Sequence, residues 1–130
     1  MTDLLLDTHA FVWAVSSPER LAVTARALVQ DPANRLLVSA ATAWELATKT
    51  RLGRFPDAEP IVAQYRELVA DLGAHELAGT SLHALRAGGL RWEHRDPFDR
   101  MLAAQALLEH AALVSRDGAF ADLAGIDVVW

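Results

Sequence analysis

The chain has 130 residues, 52% apolar and 22% charged, which suits one domain, 1–130, with a real core and excludes a disordered chain. It contains no cysteine, so a disulfide framework, a thiolate metal site and a Cys nucleophile are excluded, and any metal must be held by oxygen or imidazole. The formal net charge of −5 argues against a general nucleic-acid coating protein, which needs clustered Lys and Arg.

The first segment, MTDLLLDTHAFVWAV, holds an apolar run, LLLD at 4–7, that reads as a buried strand ending in Asp7. It lacks a basic leader and is interrupted at Asp7 and His9, so neither a signal peptide nor a membrane span is expected, and the cytoplasm is the expected compartment. PERLAVTARALVQD (18–31) carries apolar residues at helical spacing, and RLLVS (35–39) reads as a second strand. Two further helical patterns follow, AATAWELATKTRLG (40–53) and AEPIVAQYRELVADLG (58–73), stopped by Gly53 and Gly73, with Pro56 in the connection. A weaker strand candidate, AHEL (74–77), precedes a short helix for which Thr80 is a reasonable N-cap. Gly88-Gly89 breaks the chain ahead of HRDPFDR, after which PFDRMLAAQALLEHA (97–111) reads as a helix and ALVS (112–115) and IDVVW (126–130) as strands. Strands alternating with helices predict an α/β fold, with a mostly parallel sheet of four to five strands covered on both faces.

In such sheets ligands bind outside the carboxyl ends of the strands, so acids at those ends are the candidates for chemistry. Asp7 closes the first strand, Glu45 lies on the helix after the second, Asp99 begins the helix before the fourth, and Asp117 follows that strand. Each has an ordinary alternative. Asp7 could cap a following helix, Glu45 stands four residues ahead of Lys49 in the favourable orientation, Asp99 faces the positive end of a helix, and Asp117 sits in an Asp-Gly turn. Together they form a possible oxygen-rich crevice. Close carboxylates repel one another unless a cation joins them, and Mg²⁺ or Mn²⁺ takes such ligands without Cys or His. In the stretch HRDPFDR the two aspartates divide the work: Asp96 is assigned to capping, with Pro97 at the first helical position, and Asp99 to the crevice.

The five histidines show no zinc spacing, although His94 sits beside the proposed crevice. Ser39 and Ser115 lack a nucleophile elbow and suit capping or hydrogen bonding to a carboxylate. No Walker loop or dinucleotide fingerprint is present. Five of the 12 basic residues, Arg86, Arg91, Arg95, Arg100 and Arg116, fall between positions 86 and 116, so the positive charge is uneven. Trp13, Trp44, Trp92 and Trp130 are many for this length; core packing is their default use, and an exposed one beside an apolar patch would mark a partner groove.

The spaced set LLLDTHAFVW, SAATAWELATK, HRDPFDRMLAAQA and LVSRDGAF resembles the PIN-domain ribonucleases, specifically the VapC-like toxins of bacterial type II toxin–antitoxin pairs. The four motifs occur in order and span nearly the whole chain. The resemblance implies a three-layer α/β/α sandwich, a divalent-metal-dependent endoribonuclease acting on RNA, inhibition by a VapB-like antitoxin, and a homodimer. It places the four family acids, as metal-holding catalytic residues, on Asp7, Glu45, Asp99 and Asp117, with Mg²⁺ the expected ion and Mn²⁺ an alternative. Thr8 and Ser115 would then support those carboxylates; where Ser115 stands the family often has threonine, and serine keeps the hydroxyl. Arg95, Arg100 and Arg116, near the acids in sequence, would grip flanking phosphates. Two other readings compete: a PIN-like module that binds RNA or a partner without cleaving, and a phospho-receiver domain. The second wants adjacent acids after the first strand and a late lysine, whereas Asp7 is followed by Thr8 and the sole lysine is Lys49.

Overall fold

The computed structural model describes residues 1–130. Five strands, β1 (Asp3–Leu6), β2 (Arg35–Ser39), β3 (His75–Leu77), β4 (Ala112–Val114) and β5 (Val128–Val129), form one sheet in the order β3-β2-β1-β4-β5. Every pairing is parallel. Seven helices connect them: α1 (Thr8–Ser16), α2 (Val23–Gln30), α3 (Ala40–Arg51), α4 (Glu59–Ala63), α5 (Tyr65–Asp71), α6 (Ser81–Gly89) and α7 (Pro97–Leu108).

β1 lies at the centre, with Leu4, Leu5 and Leu6 opposite Leu36, Leu37 and Val38 on one side and Ala112, Leu113 and Val114 on the other. Successive side chains of a strand leave opposite faces, which creates two cores. Leu4 and Leu6 join Phe11, Trp13, Val29, Leu46 and Ile61 on one face. Leu5 and Leu37 join Leu102, Ala103, Leu113 and Phe120 on the other. The result is the expected three-layer α/β/α sandwich, and it explains the unbroken apolar run of β1: a strand covered on both faces has no polar side to alternate with.

Local chemistry sets the helix ends. Asp7, Ser39, Thr80 and Asp96 each accept a backbone N–H with the side chain at an N-terminus, and Thr80 forms a reciprocal capping box with His83. Gly53 and Gly73 adopt the left-handed conformation, φ +69° and +74°, that ends α3 and α5. Two expected helices are divided. Residues 18–31 form a 3₁₀ turn at Pro18–Arg20, an extended Leu21, and then α2. The 58–73 stretch breaks at Gln64, where φ and ψ of −116° and 25° separate α4 from α5 although the apolar spacing runs on across the break.

Strand order also locates the site. The chain moves outward from β1 through β2 to β3, then returns to place β4 on the other side of β1. Connections therefore leave β1 and β4 in opposite directions and open a crevice at their carboxyl ends. Asp7 follows β1 directly, its N–H bonded to the Val114 carbonyl at 3.0 Å, so the two strand ends are tied together at the crevice.

Candidate active site

A cleft of about 540 Å³ opens at this crossover and is lined by Asp7, Glu45, Asp99 and Asp117. All four acids singled out in the sequence thus reach one place, from the ends of β1 and β4 and from α3 and α7. Thr8, His9, Trp13, Lys49, His94, Asp96 and Arg116 complete most of the wall. A second cavity, about 480 Å³, lies away from the strand carboxyl ends and collects no comparable group of acids, only Asp31 and Asp71.

Each carboxylate is held differently. Asp7 Oδ1 accepts the Ala10 N–H at 2.8 Å, so Asp7 caps α1 and faces the cleft at once. Asp99 sits at the third position of α7, and its Oδ2 meets His94 Nε2 at 2.7 Å, leaving Oδ1 without a protein partner. Asp117 is exposed; its Oδ1 accepts the Ala119 N–H at 2.9 Å, while its own N–H donates to Ser115 Oγ at 3.0 Å. Glu45 is buried and has both oxygens engaged, Oε1 by the Thr8 hydroxyl at 2.5 Å and Oε2 by the Lys49 ammonium. The Lys49 pairing expected from i,i+4 spacing therefore exists, but with a buried carboxylate rather than a solvated one. Asp96 accepts the N–H groups of Phe98 at 2.8 Å and Asp99 at 3.2 Å, as a cap does.

Burial raises the pKa of Asp7, against the opposing effects of the Ser115 hydroxyl and the Ala10 N–H. Burial likewise pushes Asp99 up to about 6; the His94 hydrogen bond opposes this, and the charges of Asp96 and Glu45 add to it. Both shifts come first from burial, and the cleft wall sets five carboxylates, Asp7, Glu45, Asp96, Asp99 and Asp117, against two cations, Lys49 and Arg116. The donors are hard oxygens suited to Mg²⁺ or Mn²⁺. No three acidic or imidazole groups converge tightly enough to form a ready-made ligand cage. Glu45 has both oxygens taken, so the carboxylates left to meet an ion such as Mg²⁺, which keeps much of its water, are Asp7, Asp99 and Asp117.

The arginines separate by environment. Arg116 is exposed on the cleft wall, enters no ion pair, and lies over the Trp13 ring, 5.0 Å from its centroid. Arg95 is exposed along a neighbouring depression. Arg100 corrects the sequence-based expectation. Its guanidinium turns away from solvent ligands and donates to the carbonyls of Ala87, Leu90, Trp92 and His94 at 2.7–3.0 Å. A fork already filled by backbone acceptors is a structural clamp and not a free phosphate grip.

His9, Lys49 and Trp13 also belong to the cleft wall, although no motif in the sequence joins them to the four acids. His9 carried a usable signal, since it lies two residues after Asp7 at a strand end; Trp13 is one helical turn further along α1. Trp44 is the exposed tryptophan, at 62%, and stands edge-on to Phe98 with centroids 4.8 Å apart. Trp13 and Trp130 instead pack together at 5.7 Å.

Residues 4–126 match the PIN domain family. The chain is 30% identical over 120 residues to ribonuclease VapC22 of Mycobacterium tuberculosis, covering 90% of this chain and 88% of that protein. It is 40% identical over 66 residues to ribonuclease VapC16 of the same organism, a match that spans only about half of each protein, 49% of this chain and 47% of VapC16. Similar folds occur in VapBC2 from Rickettsia felis bound to a promoter DNA fragment, with a TM-score of 0.68 and 16% identity over 98% of both chains. DNA-bound VapBC from Salmonella typhimurium gives a TM-score of 0.65 and 20% identity over 99% of this chain and 98% of that one. The fold, the family match over nearly the whole length and the near-complete alignment with VapC22 agree: this chain belongs to the PIN-domain family, in its VapC-like branch.

Proposed function

We propose that the protein is a divalent-metal-dependent endoribonuclease, the toxin of a type II toxin–antitoxin pair. The observation that carries this reading is the arrival of Asp7, Glu45, Asp99 and Asp117 at one cleft on the switch point of the sheet. The names of VapC22 and VapC16 support ribonuclease activity, and the VapBC complexes support an antitoxin partner.

Asp7 and Asp99 would hold Mg²⁺, or Mn²⁺ in its place, with Asp117 reaching it through water. When bound, the ion supplies positive charge that activates water and stabilises the leaving oxygen of an RNA phosphodiester. Glu45 acts from behind: bound by Thr8 and Lys49, it fixes the cleft wall and adds negative charge near Asp7. Ser115 steadies Asp7 and the Asp117 turn. Arg116, held over Trp13, places a cation at the rim for a flanking phosphate, and Arg95 offers a second. Single-stranded RNA is the substrate form that fits, because its bases are not hidden in the narrow groove of an A-form duplex.

For the VapB-like partner, Trp44 is the best-supported anchor: a large exposed aromatic beside Phe98 is the kind of group on which a peptide docks. A homodimer belongs to the same proposal, with the exposed Leu82 and Leu85 of α6 as apolar surface in need of cover. No helix is long and apolar enough to cross a membrane.

The test is cleavage of a defined RNA by purified protein with Mg²⁺, with chelator, and with Asp7→Asn. Cleavage requiring both the ion and Asp7 supports the proposal. Cleavage indifferent to both overturns it, and RNA binding without cleavage by the wild type favours the non-catalytic module instead.

A further inference from the structure

Between the end of α6 at Gly89 and the Asp96 cap of α7 the chain has no regular secondary structure; apart from Leu90 O, which accepts the Trp92 N–H at 3.0 Å, its carbonyls need partners from elsewhere. Arg100 supplies them. Nε donates to Ala87 O at 2.9 Å, Nη2 to Leu90 O at 2.7 Å, and Nη1 to both Trp92 O at 2.7 Å and His94 O at 3.0 Å. One planar guanidinium thus fastens the last turn of α6 and three carbonyls of the strap to the first turn of α7, a task that a single ammonium could not perform. Arg100 is the neighbour of Asp99, yet it makes no ion pair with that carboxylate or any other.

The strap delivers His94. With its carbonyl held by Arg100, the imidazole packs on Trp92 at 4.8 Å, and Trp92 rests on the core residue Phe120 at 5.6 Å. From that support Nε2 reaches Asp99 Oδ2 at 2.7 Å, the only side-chain hydrogen bond that Asp99 makes. We infer that His94 is a positioning residue for the metal site: clamped through Arg100, it pins one oxygen of Asp99 so that the other faces the cleft. This rests on the proposed metal-dependent function and adds residues to which no role there has been assigned. A partner that orients a liganding carboxylate commonly changes metal affinity by about 10- to 100-fold when removed.

The experiment is titration of the purified protein with Mn²⁺, followed by the electron paramagnetic resonance signal of the free ion, for wild type, His94→Ala, His94→Gln, Arg100→Lys and the double variant His94→Ala/Arg100→Lys. Thermal unfolding is recorded for each. His94→Ala should bind Mn²⁺ at least about tenfold more weakly, and His94→Gln, which keeps a donor, should recover most of the loss. Arg100→Lys should weaken binding, and the double variant should bind no more weakly than His94→Ala, because the clamp acts through the histidine. Should Arg100→Lys fail to fold, the two His94 variants decide the matter. Binding by His94→Ala equal to wild type, or no recovery with glutamine, overturns the inference alone. A wild type that binds no Mn²⁺ overturns the metal reading and this inference with it.

Discussion

The Thr8 hydroxyl donates to Glu45 Oε1 at 2.5 Å, joining the first turn of α1 to α3 across the buried base of the cleft. Glu45 is 4% exposed, so an oxygen that loses its donor there has little water to replace it. Thr8→Val keeps the shape and removes the donor; it should destabilise the fold by about 1–3 kcal/mol in urea denaturation, whereas Thr8→Ser should restore most of that stability. Equal stability of the valine variant and the wild type would show that the bond contributes nothing.

Asp96 and Asp99 should separate cleanly in function. Asp96 receives two N–H groups at the start of α7, so Asp96→Ala should cost about 1 kcal/mol and Asp96→Asn much less. RNA cleavage should survive Asp96→Asn and be lost with Asp99→Asn. The reverse pattern, read in one assay with unfolding curves to check both variants, would exchange their roles.

The pH dependence follows from Asp99. Its pKa rises from 3.8 to about 6 in the folded protein, so between those values the native state keeps a proton that the unfolded chain has released. Stability therefore falls as pH rises through this window, by at most about 3 kcal/mol, and the penalty is fully present above it. Without metal, Asp99→Asn should be more stable than wild type at pH 7.5, and the difference should fade near pH 4. Metal binding should weaken below about pH 6, where the proton competes for the carboxylate. A constant difference in melting temperature across this range would contradict the assignment.

Arg116 should report on substrate phosphate. Arg116→Ala should raise KM for a single-stranded RNA and make the logarithmic salt dependence of binding shallower by about 0.7, the effect of one lost phosphate contact. Arg116→Lys should keep the slope and lose part of the affinity, because the stacking on Trp13 goes with the planar guanidinium. An unchanged salt slope in the alanine variant would remove Arg116 from the RNA path.

Much of this arrangement could be read from residue order. Apolar runs and caps marked the five strands and most helices, because Asp96-Pro97, Thr80, Gly53 and Gly73 act through local backbone geometry. The helix after Asp7 was visible only as something that Asp7 would cap. Residues of α1 are buried on nearly every side, so no polar face betrays a helical period. The break at Gln64 was invisible because Ile61, Tyr65, Leu68 and Val69 keep helical spacing through it. The four acids were legible as strand-end and helix-start residues, and parallel topology brings them to one cleft. The role of Arg100 is not legible for a physical reason: sequence proximity to Asp99 gives its position along the chain, but the direction of a long side chain is decided by the carbonyls of the strap folded beside it.

The most direct test of the cation site is a calorimetric Mg²⁺ titration of the wild type beside Asp7→Asn and Asp99→Asn at pH 7.5. Saturable binding to the wild type, greatly weakened in both variants while their folds persist, is the predicted result. Binding of equal strength in all three proteins would contradict it.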